Sequence, residues 1–223
     1  MTGHLWVIGD SWADPSLYPW SVADGWPQMV AARLGLGVVN SAASGAGYAS
    51  NHGTPYPVQA ARGTGHGAAA VLVWGSLNDP YWGCTPEDTA RGADLTYALV
   101  RRSCPDAALI VAGPAWGDQE PPDYMQWARA TVRRAAADAG AVFVDPLGWL
   151  SGRPDLVLPD HLHPNQPGHA LVADRLVPEL LWALQPSPPE APRDWGDEGG
   201  WVSPYTLGVP AGTVPAPSLL SEP

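Results

Sequence analysis

LWVIGDSW (5–12) decides the fold. Leu5 to Ile8 are apolar without alternation, and Gly9-Asp10-Ser11 then breaks the run. A strand that is apolar on both faces belongs inside a parallel sheet covered by helices. The pattern recurs along the chain. GVVNS (37–41), AAVLVWG (69–75), ALIVAG (108–113) and AVFVD (141–145) read as four further strands. Helical patterns separate them at 26–35, 86–103 and 122–140, and a last helix is expected at 167–184. Five strands alternating with helices predict an α/β, flavodoxin-like doubly wound three-layer sandwich with a five-stranded parallel sheet. Sites in such sheets form beyond the carboxyl ends of the strands. Ser11 sits at such an end. By itself it reads most simply as the cap of a following helix.

The whole chain has 223 residues, 45% of them hydrophobic, enough for one domain with a real core. We expect that domain at 1–185. Beyond it, 186–223 is rich in Pro and Gly and without periodicity. This tail is expected to dock on the domain or on a protein partner, because it still carries Trp195, Trp201, Tyr205 and Leu207. The net charge is −11, and all eleven basic residues are Arg. Such a surface repels phosphate backbones and excludes nucleic acid as the expected partner. No run reaches the ~18 apolar residues of a membrane span. No signal peptide is read at the N-terminus, which leaves a cytoplasmic or virion-associated setting open. The helix between Cys84 and Cys104 starts with a capping pattern, Thr85-Pro86 with Asp88. Its eighteen residues would span roughly 27 Å, too far for a disulfide, whose Cα atoms lie within about 7 Å. Free thiols are expected.

The chemistry-bearing residues fall at the strand ends. Gly9-Asp10-Ser11 follows the first strand, SAASGAGY (41–48) the second and GSLND (75–79) the third. PDHLHPNQPGH (159–169) precedes the last helix. A serine hydrolase needs a hydroxyl, an imidazole base, a group orienting that base, and donors for an oxyanion. Ser11 offers the hydroxyl. Asp160 and His163, three apart in a Pro-flanked loop, can pair through Nδ1 and leave Nε2 for Ser11. Asn78 offers a side-chain donor, and a glycine at 45 allows close backbone approach.

The order GDS, glycine block, GxND and DxxHP resembles the SGNH hydrolases, or GDSL-type esterases and lipases, over roughly residues 4–184. The resemblance implies a serine esterase acting through an acyl-enzyme. Its triad would be Ser11, His163 and Asp160, and its oxyanion hole the Ser11 N–H, the Gly45 N–H and the Asn78 side chain. No metal or organic cofactor is implied. Gly47 is an alternative to Gly45 as the oxyanion glycine. The expected substrate is a short acyl ester, such as acetyl on a carbohydrate or cell-envelope glycan; a short-chain lipid ester comes second. A non-catalytic module on the same fold, such as a phage tail or virion component, stays as the alternative.

Simpler readings fit the other residues. Asp10 and Asp79 read as turn-bracing carboxylates, and His161 as a poor base because it adjoins Asp160. GAGYAS (45–50) lacks the third glycine of a dinucleotide fingerprint. GDSWA resembles the GxSxG elbow, but that motif lies mid-chain in α/β-hydrolases. Trp12, Trp82 and Trp116 fall near the expected site loops and are candidate substrate contacts, since indole faces stack on sugar rings and line acyl pockets.

Overall fold

The computed structural model describes residues 3–185; the expected tail at 186–223 lies outside the described residues. Five strands form one sheet: β1 (His4–Gly9), β2 (Gly37–Asn40), β3 (Ala70–Trp74), β4 (Ala108–Ala112) and β5 (Val142–Val144). All pair in parallel in the order β2-β1-β3-β4-β5. This is the flavodoxin-like order expected of a doubly wound sheet.

Successive strand residues point to opposite faces, so each strand serves two cores. Leu5, Val7, Leu72, Trp74, Ile110 and Val144 pack on one side. Trp6, Ile8, Val71, Val73, Val111 and Phe143 pack on the other. The first side is covered by α1 (Trp26–Arg33) and α6 (Gln166–Ala183). The second is covered by α2 (Tyr56–Ala61), α4 (Pro86–Ser103) and α5 (Tyr124–Asp138). A four-residue helix, α3 (Asn78–Tyr81), follows β3.

α4 starts where its capping pattern places it. The Thr85 side chain accepts from the Asp88 N–H, and the Asp88 carboxylate accepts from the Thr85 N–H. Cys84 and Cys104 are free thiols. Among the described residues, no helix is long and apolar enough to cross a membrane.

Candidate active site

β1 ends at Gly9, whose backbone is gripped by one side chain. Buried Gln59 of α2 accepts from the Gly9 N–H at 3.0 Å and donates to the Gly9 carbonyl at 2.9 Å. The chain then turns. Asp10 accepts from the Trp12 N–H at 3.1 Å through Oδ1, and its Oδ2 accepts from the Tyr56 hydroxyl at 3.1 Å. Ser11 stands at the top of this turn.

The loop before α6 carries the imidazole of His163. Asp160 Oδ1 accepts from the Leu162 and His163 N–H groups at 2.9 and 3.0 Å. Its Oδ2 lies 2.7 Å from His163 Nδ1. A carboxylate accepts only, so Nδ1 carries a proton and Nε2 of the neutral ring presents its lone pair. Nε2 lies 2.8 Å from Ser11 Oγ. Serine, imidazole and carboxylate thus form one hydrogen-bonded chain. Burial pushes the Asp160 carboxyl up, but the hydrogen bonds from Leu162 and His163 outweigh it and hold it below its ordinary range.

Asn78 opens α3. Its Nδ2 donates to the Ala46 carbonyl at 2.8 Å, which ties it to the glycine block and leaves a second N–H on the same nitrogen. Gly45 adopts φ +75°, a conformation that favours glycine. Gly47 is packed so that a Cβ would come within 2.5 Å of Asp79 Oδ1. Asp79 is fully buried and accepts from the Tyr48, Ala49 and Ser50 N–H groups and the Ser76 hydroxyl. Asp14 fastens the glycine block to the Ser11 turn by accepting from the Ser44 N–H and hydroxyl, both at 2.8 Å.

One of the three candidate tryptophans differs from expectation. Trp12 is only 1% exposed and stacks on Trp74, with ring centroids 5.9 Å apart. It is a core residue and not a substrate contact: the turn that raises Ser11 directs its neighbour into the core. Trp116 is half-buried and packs on the cluster of Leu77, Met125 and Leu147, beside Asn78. Trp82 is 47% exposed, just after α3, and stacks on His52 at 3.7 Å. His161 adopts φ +59° and turns to Asp118, 3.2 Å from its Nδ1, away from Asp160.

A cavity of about 280 Å³ opens beside Ser11, Asp160 and His163. Leu17, Tyr18 and Trp20 form part of its wall, with Leu158, Pro164 and His169. Sequence reasoning missed the first three, which lie in an aperiodic loop. The signal available was an aromatic pair, Tyr18 and Trp20, a few residues past the Ser11 turn.

The model of the GDSL-like lipase/acylhydrolase family matches residues 7–171. A GDSL lipase of Mycobacterium tuberculosis is 34% identical over 190 residues, covering 80% of this chain and 81% of the relative. Among solved structures, the psychrotrophic esterase EstA from Pseudoalteromonas sp. superposes with a TM-score of 0.64 at 16% identity, covering 80% of this chain and 97% of EstA. TesA gives a TM-score of 0.62 at 23% identity, covering 83% of this chain and 99% of TesA. Both structural matches agree with the five-stranded α/β fold. The chain belongs to the GDSL-like lipase/acylhydrolase family and is a serine ester hydrolase.

Proposed function

We propose that the protein hydrolyses short acyl esters, acetyl above all, carried on a carbohydrate or other small alcohol. Ser11 is the nucleophile, His163 the general base and acid, and Asp160 the group that orients it. The observation carrying this reading is the chain of contacts at 2.8 and 2.7 Å from Ser11 Oγ through His163 to Asp160.

In this mechanism Ser11 Oγ attacks the ester carbonyl while its proton passes to His163 Nε2. The tetrahedral oxyanion is held by the Ser11 N–H, the Gly45 N–H and the second N–H of Asn78 Nδ2. Gly45 is preferred to Gly47 because Gly47 is buried against Asp79, whereas Gly45 is half-buried in the turn that Asn78 holds. The intermediate collapses as His163 Nε2–H gives its proton to the leaving alcohol oxygen, forming the acyl-enzyme. Water then attacks, its proton passes to His163, and the acid leaves as Ser11 regains its hydrogen.

The test is turnover of p-nitrophenyl acetate by the wild type and by Ser11→Ala. Wild-type turnover that Ser11→Ala loses at least a thousandfold supports the assignment. Equal turnover by both, or failure of a fluorophosphonate to label Ser11, overturns it.

A further inference from the structure

The cavity beside the triad can be assigned to one part of the ester. Its walls come from the loop after the Ser11 turn (Leu17, Tyr18, Trp20), from the loop carrying His163 (Leu158, Pro164), and from His169 in the first turn of α6. Proton transfer fixes what faces these walls. The group that leaves must take its proton from His163 Nε2, so the alcohol departs on the side of the imidazole. His163 and Asp160 line the cavity together with Ser11, whereas Gly45 and Asn78 are not among its lining residues.

One polar side chain in these walls is set in a single form. His169 is 1% exposed, and its Nδ1 accepts from the Trp26 N–H at 3.2 Å. A nitrogen that accepts carries no proton, so the neutral ring holds its hydrogen on Nε2 and can only donate there. Burial, reinforced by the neighbouring His163, pushes the His169 pKa down to about 3, which agrees with a neutral ring. Tyr18 and Trp20 meet this imidazole in T-shaped contacts, at centroid distances of 4.5 and 5.6 Å, and hold its plane. Tyr18 is itself seated on Gly25, where a Cβ would come within 2.4 Å of its ring.

We propose that this cavity is the alcohol subsite, and that His169, donating through Nε2–H, is a specificity-determining residue for an oxygen-rich, ring-shaped alcohol such as a sugar. The inference rests on the catalytic reading given above. Aromatic rings with a fixed donor suit a sugar, which presents both C–H faces and acceptor oxygens. A fatty alcohol would enter the same walls and leave the donor without a partner, an arrangement that selects against it.

The experiment compares two alcohols at constant acyl group, 6-O-acetyl methyl glucoside and hexyl acetate. It also compares three acyl groups at constant alcohol, p-nitrophenyl acetate, butyrate and octanoate. His169→Phe is expected to lower kcat/KM for the acetyl sugar about tenfold while hexyl acetate changes by less than about twofold. His169→Gln, which keeps an N–H₂ donor at that depth, is expected to recover most of the loss. Because the alcohol has left by then, hydrolysis of the common acetyl-enzyme should keep its rate, so the effect appears in the burst and not in deacylation. An equal loss on both alcohols, a change that follows acyl length, or a slowed deacylation would overturn the assignment. Should His169→Phe fail to fold, Leu17→Ala at a position 44% exposed gives the same readout, as a changed ratio between the two alcohols. A wild type inert to every ester, with Ser11 unlabelled by fluorophosphonate, would sink the catalytic reading and this inference with it. An active wild type with the wrong selectivity pattern sinks the inference alone.

Discussion

Asp10 lies next to Ser11 yet faces the interior. Burial is the largest influence on it and raises its pKa to about 7, against the hydrogen bonds from Trp12 and Tyr56 that favour the charged form. Between about 4 and about 7 the folded protein therefore keeps a proton that the unfolded chain has lost. Native stability must fall as pH rises through that window. Asp10→Asn cannot ionise. Denaturant titrations of both proteins should show the variant gaining stability relative to wild type from pH ~4 to ~7, and a constant difference below ~4. Asp160 behaves in the opposite sense. Its hydrogen bonds outweigh its burial and hold its pKa below the ordinary carboxylate range, so it stays ionised through mildly acidic pH. Asp160→Asn should lower kcat by about 10³-fold or more with little change in the thermal midpoint.

Elements, more than single residues, separate what was legible in the sequence from what was not. The five strands were legible because a strand buried on both faces has to be apolar throughout, and few other structures impose that. α4 was legible to the residue because its capping box is a local code. Thr85→Ala should cost about 1 kcal/mol in chemical denaturation and leave kcat/KM unchanged. α2 was not legible: Pro55 and Pro57 look like loop punctuation, yet they precede and open a six-residue helix. The importance of α2 is tertiary, through Gln59 on Gly9 and Tyr56 on Asp10, and no local pattern announces either contact. The bend after β3 is similar. Gly75 has φ +129°, and a Cβ there would come within 2.1 Å of the Tyr56 hydroxyl and 2.3 Å of Asp10 Oδ2. Gly75→Ala should therefore destabilise the protein by more than about 2 kcal/mol and lower kcat, because Asp10 supports the Ser11 turn.

At the scale of the whole molecule, the sheet gathers groups from distant parts of the sequence. Ser11 and His163 are 152 residues apart and meet at 2.8 Å. The motifs and their order were readable, and so was the shared end of the sheet. Which side chains wall the cavity was not, since that depends on how two irregular loops lie against α6. Trp12 shows the same limit: adjacency to Ser11 in sequence carries no information about which way an indole turns. All five strands, α6 and the Ser11–His163–Asp160 contacts lie within residues 3–185. A chain ending after Gln185 should therefore retain its circular dichroism spectrum and its hydrolysis of p-nitrophenyl acetate.

The tryptophans packed against the Ser11 turn have an optical consequence. Trp12, Trp74 and Trp26 form a run of adjacent rings, with Trp149 against Trp74. The Trp26 indole N–H donates to the Trp12 carbonyl at 2.7 Å, so the emitting cluster is wired to the backbone of the Ser11 turn. Indoles this close share their excitation. A small displacement of that turn on acylation would alter near-ultraviolet ellipticity and quantum yield together. Stopped-flow mixing with an ester that releases no coloured product is expected to show this fluorescence change in the wild type and not in Ser11→Ala.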